Sequence, residues 1–308
     1  AALIKPLLDA GLGPANAASD DVRNLMLSPA AGIDPQQVVD TWPLARQVLA
    51  SLESTPRYAE LSAKFAVQLD GGEALAMLEH HHDLWLSAYE CEGQRLLAFG
   101  LAGSPAQDAA LGCVPVEQGH ELVMAVLSLF LDVARPEQTR MRHLFKERAV
   151  TDFVEQLAQR ISVAIVPAHT WHREARGGQS PIGCYPQREP NRVYVGAAPA
   201  LGRLDAAMLS GLARIATRYG DGTLRFTPWQ SVIVPNVRTD QGALVTQALQ
   251  TLGLLCDAHT PLTQLIACTG SSACAKGLAD TKQDARRLAR LMAVPQSIHL
   301  TGCQRSCA

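Results

Sequence analysis

The chain has 308 residues, 47% apolar and 18% charged, with a formal net charge of −2. That composition is globular rather than disordered, and the length allows more than one packed core. The near-neutral balance removes any electrostatic case for nucleic acid or an anionic membrane as partner, so cations that matter must be gathered locally.

No apolar run approaches the roughly 20 residues that a bilayer span requires. The most apolar one, Leu122 to Val133, is too short and is marked at its end by Asp132 and Arg135. Ala1 to Leu12 lacks the basic start and apolar stretch of a secretory leader. A cytoplasmic setting is therefore expected, where thiols stay reduced. In that setting eight cysteines point to metal or redox chemistry before structural disulfides.

In chain order, Leu7-Leu8-Asp9-Ala10-Gly11-Leu12 reads like Leu249-Gln250-Thr251-Leu252-Gly253-Leu254. Each is followed about a dozen residues later by an apolar strand-like run, which makes a weak internal repeat. The second copy is preceded by Leu224 to Gln230 and the first by nothing comparable. The chain is thus expected to open partway through its first repeat and to be cut short in its last module. Gln118 to Ala134 is apolar on a wide face and predicts a helix that stops before Pro136. Strand-like runs follow at Arg192 to Val195, Thr223 to Thr227 and Ser231 to Val234. Helices are predicted from an Asp205 cap to Tyr219, from Asp240 to Leu252, and from Asp280 or Thr281 through Arg290. Interleaved strands and helices predict an α+β architecture. Breaks are expected near residues 167–179 and 258–261, dividing the chain into 1–166, 167–257 and 258–308.

Two tight cysteine pairs stand near the end. Cys268 and Cys274 form C-x5-C, and after twenty-eight intervening residues Cys303 and Cys307 form C-x3-C. Four soft thiolates suit a 4Fe–4S cluster, and the small residues between them let a loop wrap it. A zinc site prefers shorter knuckles, and disulfides suit another compartment. Cys91, Cys113, Cys184 and Cys256 are scattered and read as small buried apolar residues. His80-His81-His82 offers imidazoles, but neighbours on a strand point to opposite faces, so one ion cannot easily take all three. Arg140, Arg142 and His143 read as a solvated face, and Lys282, Arg286, Arg287 and Arg290 as a solvent-facing stripe or partner surface.

With these residues in view, the chain resembles the siroheme nitrite and sulfite reductase superfamily along nearly its whole length. The resemblance is carried by Asp21-Val22-Arg23-Asn24, Ala63-Lys64-Phe65 before Asp70-Gly71-Gly72, and Ile182-Gly183 with Pro186-Gln187. It continues through Leu224-Arg225-Phe226-Thr227 to Gln230 and the two cysteine pairs. It implies a pseudo-symmetric assembly of duplicated ferredoxin-like half-domains and cluster-binding modules. Within the superfamily, Thr227-Pro228-Trp229, Gly277 to Lys282 and Gly302 to Ala308 are most similar to precorrin-3B synthase of cobalamin biosynthesis.

That resemblance implies oxygen-dependent hydroxylation and lactonisation of precorrin-3A. It also implies a 4Fe–4S cluster on Cys268, Cys274, Cys303 and Cys307, an additional mononuclear non-haem iron, and an unnamed electron donor. The alternative it leaves open is a siroheme-dependent nitrite or sulfite reductase, in which Cys307 bridges cluster and siroheme. A second alternative is a non-catalytic tetrapyrrole-binding or electron-transfer module. Ala66 stands where sulfite reductases carry a second lysine, which argues against sulfite.

By family position, Arg23 and Lys64 are the expected catalytic cations, and Arg225, Gln230 and Gln187 the expected macrocycle-binding residues. Each has a plainer reading: Arg23 as a surface charge at a helix start, Lys64 as a snorkelling side chain, Arg225 as the solvent face of its strand, and Gln230 as a loop residue.

Overall fold

Short buried strands need both faces covered, and the helices between them supply the cover. The structure, a computed structural model, describes residues 3–14, 16–173, 179–294 and 296–307. The chain divides into two compact units, Ala1–Gly177 and Gly178–Ala308.

The first unit begins with α1 (Ile4–Asp9), β1 (Leu25–Leu27), α2 (Trp42–Ser54) and β2 (Val67–Asp70). The long hairpin of β3 (His82–Cys91) and β4 (Gln94–Gly103) follows, then β5 (Gly112–Pro115). Helices α3 (Gly119–Val133), α4 (Met141–Leu144) and α5 (Val150–Ala158) complete it. The five-stranded sheet has the order β1-β2-β3-β4-β5, parallel across β1, β2 and β3 and antiparallel thereafter. The apolar run Leu122–Val133 lies within α3 as expected, and Leu122, Val126, Leu127 and Phe130 pack on Leu69, Leu84, Leu86, Leu97 and Phe99 of the sheet. Leu44, Val48 and Leu52 of α2 join the same core at their helical spacing.

Residues 166–173 are not a loose linker. Val166 and Cys113 form a β-bridge, the Trp171 ring stacks on Trp85 with centroids 5.0 Å apart, and Arg173 is buried against Asp70. The remainder of the expected break, residues 174–178, lies outside the described residues.

The second unit contains β6 (Gly183–Pro186), β7 (Arg192–Ala197), α6 (Ala206–Tyr219), β8 (Arg225–Phe226), β9 (Val232–Arg238) and α7 (Gly242–Thr251). It ends with β10 (Leu265–Ala267), α8 (Thr281–Leu291) and β11 (Ile298–Leu300). Its four-stranded antiparallel sheet has the order β6-β7-β9-β8, and Leu212, Ile215, Val245 and Leu249 of α6 and α7 pack on Val193, Val195, Val232 and Val234. The expected caps hold: the Asp205 carboxylate accepts the Met208 amide at 2.8 Å and Asp280 that of Gln283 at 3.1 Å. The strand expected over Thr223 to Thr227 is reduced to Arg225–Phe226, because β8 lies at the sheet edge with one partner, β9.

The internal repeat is realised. Gly11 and Gly253, at φ 71° and 84°, each follow a helix in the left-handed conformation that glycine tolerates. A parallel pair bracketing a helix then follows in both units, β1–α2–β2 in the first and β10–α8–β11 in the second.

Two buried groups of the first unit titrate abnormally. Burial, and next the Asp70 carboxylate, push Glu73 up to about 8, while burial, helped by neighbouring cations, holds the His82 imidazole down at about 4. Below the ordinary imidazole value of 6.5 the unfolded chain takes up a proton that the folded one refuses; above the ordinary glutamate value of 4.5 the unfolded chain releases one that the folded one keeps. The two slopes oppose each other at acid pH, but between about 6.5 and 8 only Glu73 acts, and stability falls as pH rises. Urea midpoints should therefore drop across that interval in the parent chain. Glu73→Gln, isosteric with the protonated acid, should flatten the decline.

Candidate functional site

The cysteine loops are knitted by backbone at one end of the β10–β11 pair. The Cys268 amide donates to the Leu300 carbonyl at 3.0 Å, and the Gly302 amide donates to Cys268 Sγ at 3.2 Å. The loop bearing Cys303 is thus tied to the sulfur of Cys268. The Cys274 amide donates to Gly270 (3.0 Å), Leu278 to Gly302 (2.8 Å) and Ser271 to Ala279 (2.8 Å). Small residues make this possible: Gly270 has φ 68°, and a Cβ on Gly277 would lie 2.6 Å from the Gly270 carbonyl carbon.

The Gly302 N–H, then the Thr281 hydroxyl, lower the Cys268 thiol below its usual range. All four thiols are free; Cys268, Cys274 and Cys303 are half-buried and Cys307 is exposed. Thiolate ligands with an N–H already aimed at one sulfur fit an iron–sulfur cube. Among the described residues no group of three or more His, Cys, Asp or Glu is set to hold a single ion. That leaves the expected mononuclear iron without a ligand set there. It does not weigh against the cube, whose corners each take one thiolate.

Lys282 was expected to face solvent. Instead its Nζ donates to the carbonyls of Leu201 (2.7 Å) and Ala267 (2.6 Å), directly behind Cys268, while Arg286, Arg287 and Arg290 are exposed. A cation in the first turn of a helix opposes the helix dipole, and that anomaly was the signal available in the sequence.

The first copy carries oxygen where the second carries sulfur. Ser28, Asp34 and Asp40 stand at the same spacing as Cys268, Cys274 and Asp280, with Ser28 directly after β1 as Cys268 is directly after β10. Ser28 Oγ donates to Leu75 O at 2.5 Å, and Asp34 Oδ2 accepts from the amides of Ala74 (3.0 Å) and Leu75 (3.4 Å). Hydrogen bonds close these loops in the first unit.

Arg23 and Lys64 are brought together within the first unit: Asn24 Nδ2 donates to the Ala63 carbonyl at 2.6 Å, and the Val67 amide to Asn24 O at 2.9 Å. Arg23 is braced by Asp20 (3.0 Å) and Glu53 (3.7 Å), whereas exposed Lys64 makes no ion pair among the described residues. In the second unit Arg225 is half-buried on the sheet face of Tyr194, Gly196 and Ile233, opposite the helices. Gln230 is exposed at φ 56° in the turn closed by Thr227 N to Ser231 O, with Trp229 half-buried beside it. Gln187 is committed elsewhere: its amide exchanges hydrogen bonds with Asn236 at 2.6 and 2.7 Å, which gives it a structural task.

Two further expectations are corrected. Arg140 is not a solvated charge, since its Nε donates to the buried Asp83 carboxylate at 2.7 Å. Cys184 is exposed rather than buried, on an edge strand.

Two family models match this chain: the nitrite and sulphite reductase 4Fe-4S domain over residues 18–165, and the nitrite/sulfite reductase ferredoxin-like half domain over residues 185–252. The chain belongs to the nitrite and sulfite reductase superfamily. It is similar to the chloroplastic ferredoxin–nitrite reductase of Arabidopsis thaliana, with 30% identity over 99% of the chain and 56% of the relative. It is also similar to sulfite reductase [ferredoxin] 1 of Mycolicibacterium paratuberculosis, with 27% identity over 97% of the chain and 57% of the relative. The chain thus spans somewhat more than half the length of these superfamily members.

The fold matches the structure of the Mycobacterium tuberculosis NirA protein with a TM-score of 0.78 and 22% identity, over 92% of this chain and 55% of that one. The superfamily's 4Fe–4S domain match falls on the copy with Ser28 and Asp34; the four cysteines fall on the other. No helix among the described residues is long and apolar enough to cross a membrane.

Proposed function

We propose that the chain is the cluster- and tetrapyrrole-binding part of an oxidoreductase that takes electrons from a ferredoxin-like donor and reduces nitrite at siroheme. The observation that carries this reading is the cradle at the end of β10 and β11, where an N–H already serves Cys268 Sγ. A cluster held by Cys268, Cys274, Cys303 and Cys307 would supply single electrons for the reduction.

The residues of the chain do the rest. Lys64, exposed and without an ion pair among the described residues, supplies a cation for an incoming anion. Arg23, braced by Asp20 and Glu53, offers a more rigid one. At Ala66 there is a methyl group, and its amide donates to Asp83, whose charge Arg140 already balances. A site with fewer free cations suits the singly charged nitrite better than sulfite. The names of the relatives support the same order.

A second reading is favoured by the Trp229 turn and the Ala279-Asp280-Thr281 cap, which resemble precorrin-3B synthase. There the same cations would hold the carboxylates of precorrin-3A, which dioxygen then hydroxylates. Anaerobic purification followed by acid–acetone extraction separates the two. Siroheme in the extract, with nitrite consumed by chemically reduced protein, is the expected result. A colourless extract, with an oxygen-dependent mass gain on precorrin-3A, moves the assignment to the corrin enzyme.

A further inference from the structure

At the head of β3 a cavity of about 280 Å³ is lined by His80, His82, Asp83, Arg140 and Arg142, among others. Nothing in the cluster cradle or at Arg23 and Lys64 uses it. His82 forms its floor and is only 2% exposed. Its Nδ1 lies 2.8 Å from the His80 carbonyl oxygen, which can only accept, so Nδ1 carries the hydrogen. Burial keeps the ring neutral near pH 7. Nε2 therefore presents a lone pair, and it has no hydrogen-bond partner among the described residues.

The charges around it are unequal. Arg140 is spent on Asp83, whose other oxygen accepts the Met141 amide at 2.8 Å. Arg142 is exposed and makes no ion pair among the described residues. Two guanidiniums against one carboxylate leave one positive charge, on a group whose N–H donors make strong charge-assisted hydrogen bonds to a carboxylate oxygen.

We propose that this pocket binds a single carboxylate group, with one oxygen on Arg142 and the other on His82 Nε2. Since neutral Nε2 has no hydrogen to give, the carboxylate brings a proton with it, taken from solvent onto Nε2, and the pair becomes an imidazolium–carboxylate contact. The other titratable groups nearby are His80, whose ring centroid lies 5.2 Å from that of His82, His81, which meets Gln107 at 3.0 Å, and Asp108, which accepts the Ser104 amide at 2.8 Å behind Gly103. The inference rests on neither substrate reading given above.

The test is titration of the full chain with acetate, followed by long-range proton–nitrogen spectra of the histidine rings, with His82→Asn used to assign the signal. Nε2 of His82 should move saturably from the unprotonated to the protonated position, more tightly at pH 5.5 than at 7.5. Arg142→Gln, at an exposed position, should weaken the apparent affinity about tenfold or more. A uroporphyrin that displaces acetate from His82 identifies a macrocycle carboxylate as the natural occupant. A uroporphyrin that leaves acetate in place identifies a small free carboxylate. A non-saturating response, an Nε2 that stays unprotonated, or unchanged affinity in Arg142→Gln overturns the proposal.

Discussion

Cys274→Ser is expected to strip the chain of its iron while leaving its fold in place. Anaerobically purified parent protein should contain about four iron and four sulfide per chain and absorb broadly near 400 nm, roughly where such clusters absorb. The variant should fall close to zero in both. Cys274 is the informative choice because its backbone, not its sulfur, holds the loop: its amide donates to Gly270 and its carbonyl accepts from Gly277 at 2.9 Å. Serine keeps both bonds and removes only the soft ligand. Cys268→Ser would confuse the two effects, since that sulfur also accepts the Gly302 amide. Full iron and sulfide in the Cys274 variant, or stoichiometric zinc without sulfide in the parent, would defeat the assignment.

The parts of this protein that could be read in advance are those whose cause is local. Asp205 and Asp280 cap helices because a side-chain oxygen reaches an amide three residues on. The two cysteine pairs stand out for the same local reason, and the fold ties the loops that bear Cys268 and Cys303 together after β10 and β11. The β3–β4 hairpin, the longest element pair in the first unit, gave a weak signal. Its turn places Glu92 and Gly93 at φ 51° and 77°, with glutamate where asparagine or aspartate would announce the bend. The strand β3 is also buried along most of its length, so it lacks the alternation that marks a half-exposed strand.

The expected positions that shifted are those decided by distant partners. Lys282 looked like one charge in a basic stripe, but its acceptor on Leu201 lies 81 residues away. Arg140 looked like surface charge, yet Asp83 is 57 residues away. No window of sequence contains either pair. The His80-His81-His82 run invited a metal, whereas the fold sets it beside two guanidiniums and so favours an anion.

Arg173 is a further long-range case, and its removal should be the most damaging single change in the first unit. Its Nε and Nη2 donate to both oxygens of Asp70, at 2.7 and 2.8 Å, and Nη2 also donates to the Glu73 carbonyl at 2.7 Å, across about a hundred residues. The two side chains are 4% and 0% exposed. Ser87 Oγ and the Gly72 amide also donate to Asp70, so the carboxylate is fixed and cannot turn toward water. Arg173→Met would leave that charge buried without its counter-ion, beside a Glu73 already held protonated by burial. Breaking a buried pair from one side costs about 3–5 kcal/mol, because the orphaned charge remains. Urea midpoints at pH 6.5 should show a loss of that order. Asp70→Asn added to Arg173→Met removes the orphaned charge, keeps an oxygen for the Gly72 amide and turns an NH2 toward Ser87, whose hydroxyl can accept instead of donate, and should recover part of the loss. If the double variant is no more stable than the single, the cost lies in lost packing around Arg173 and not in the uncompensated Asp70.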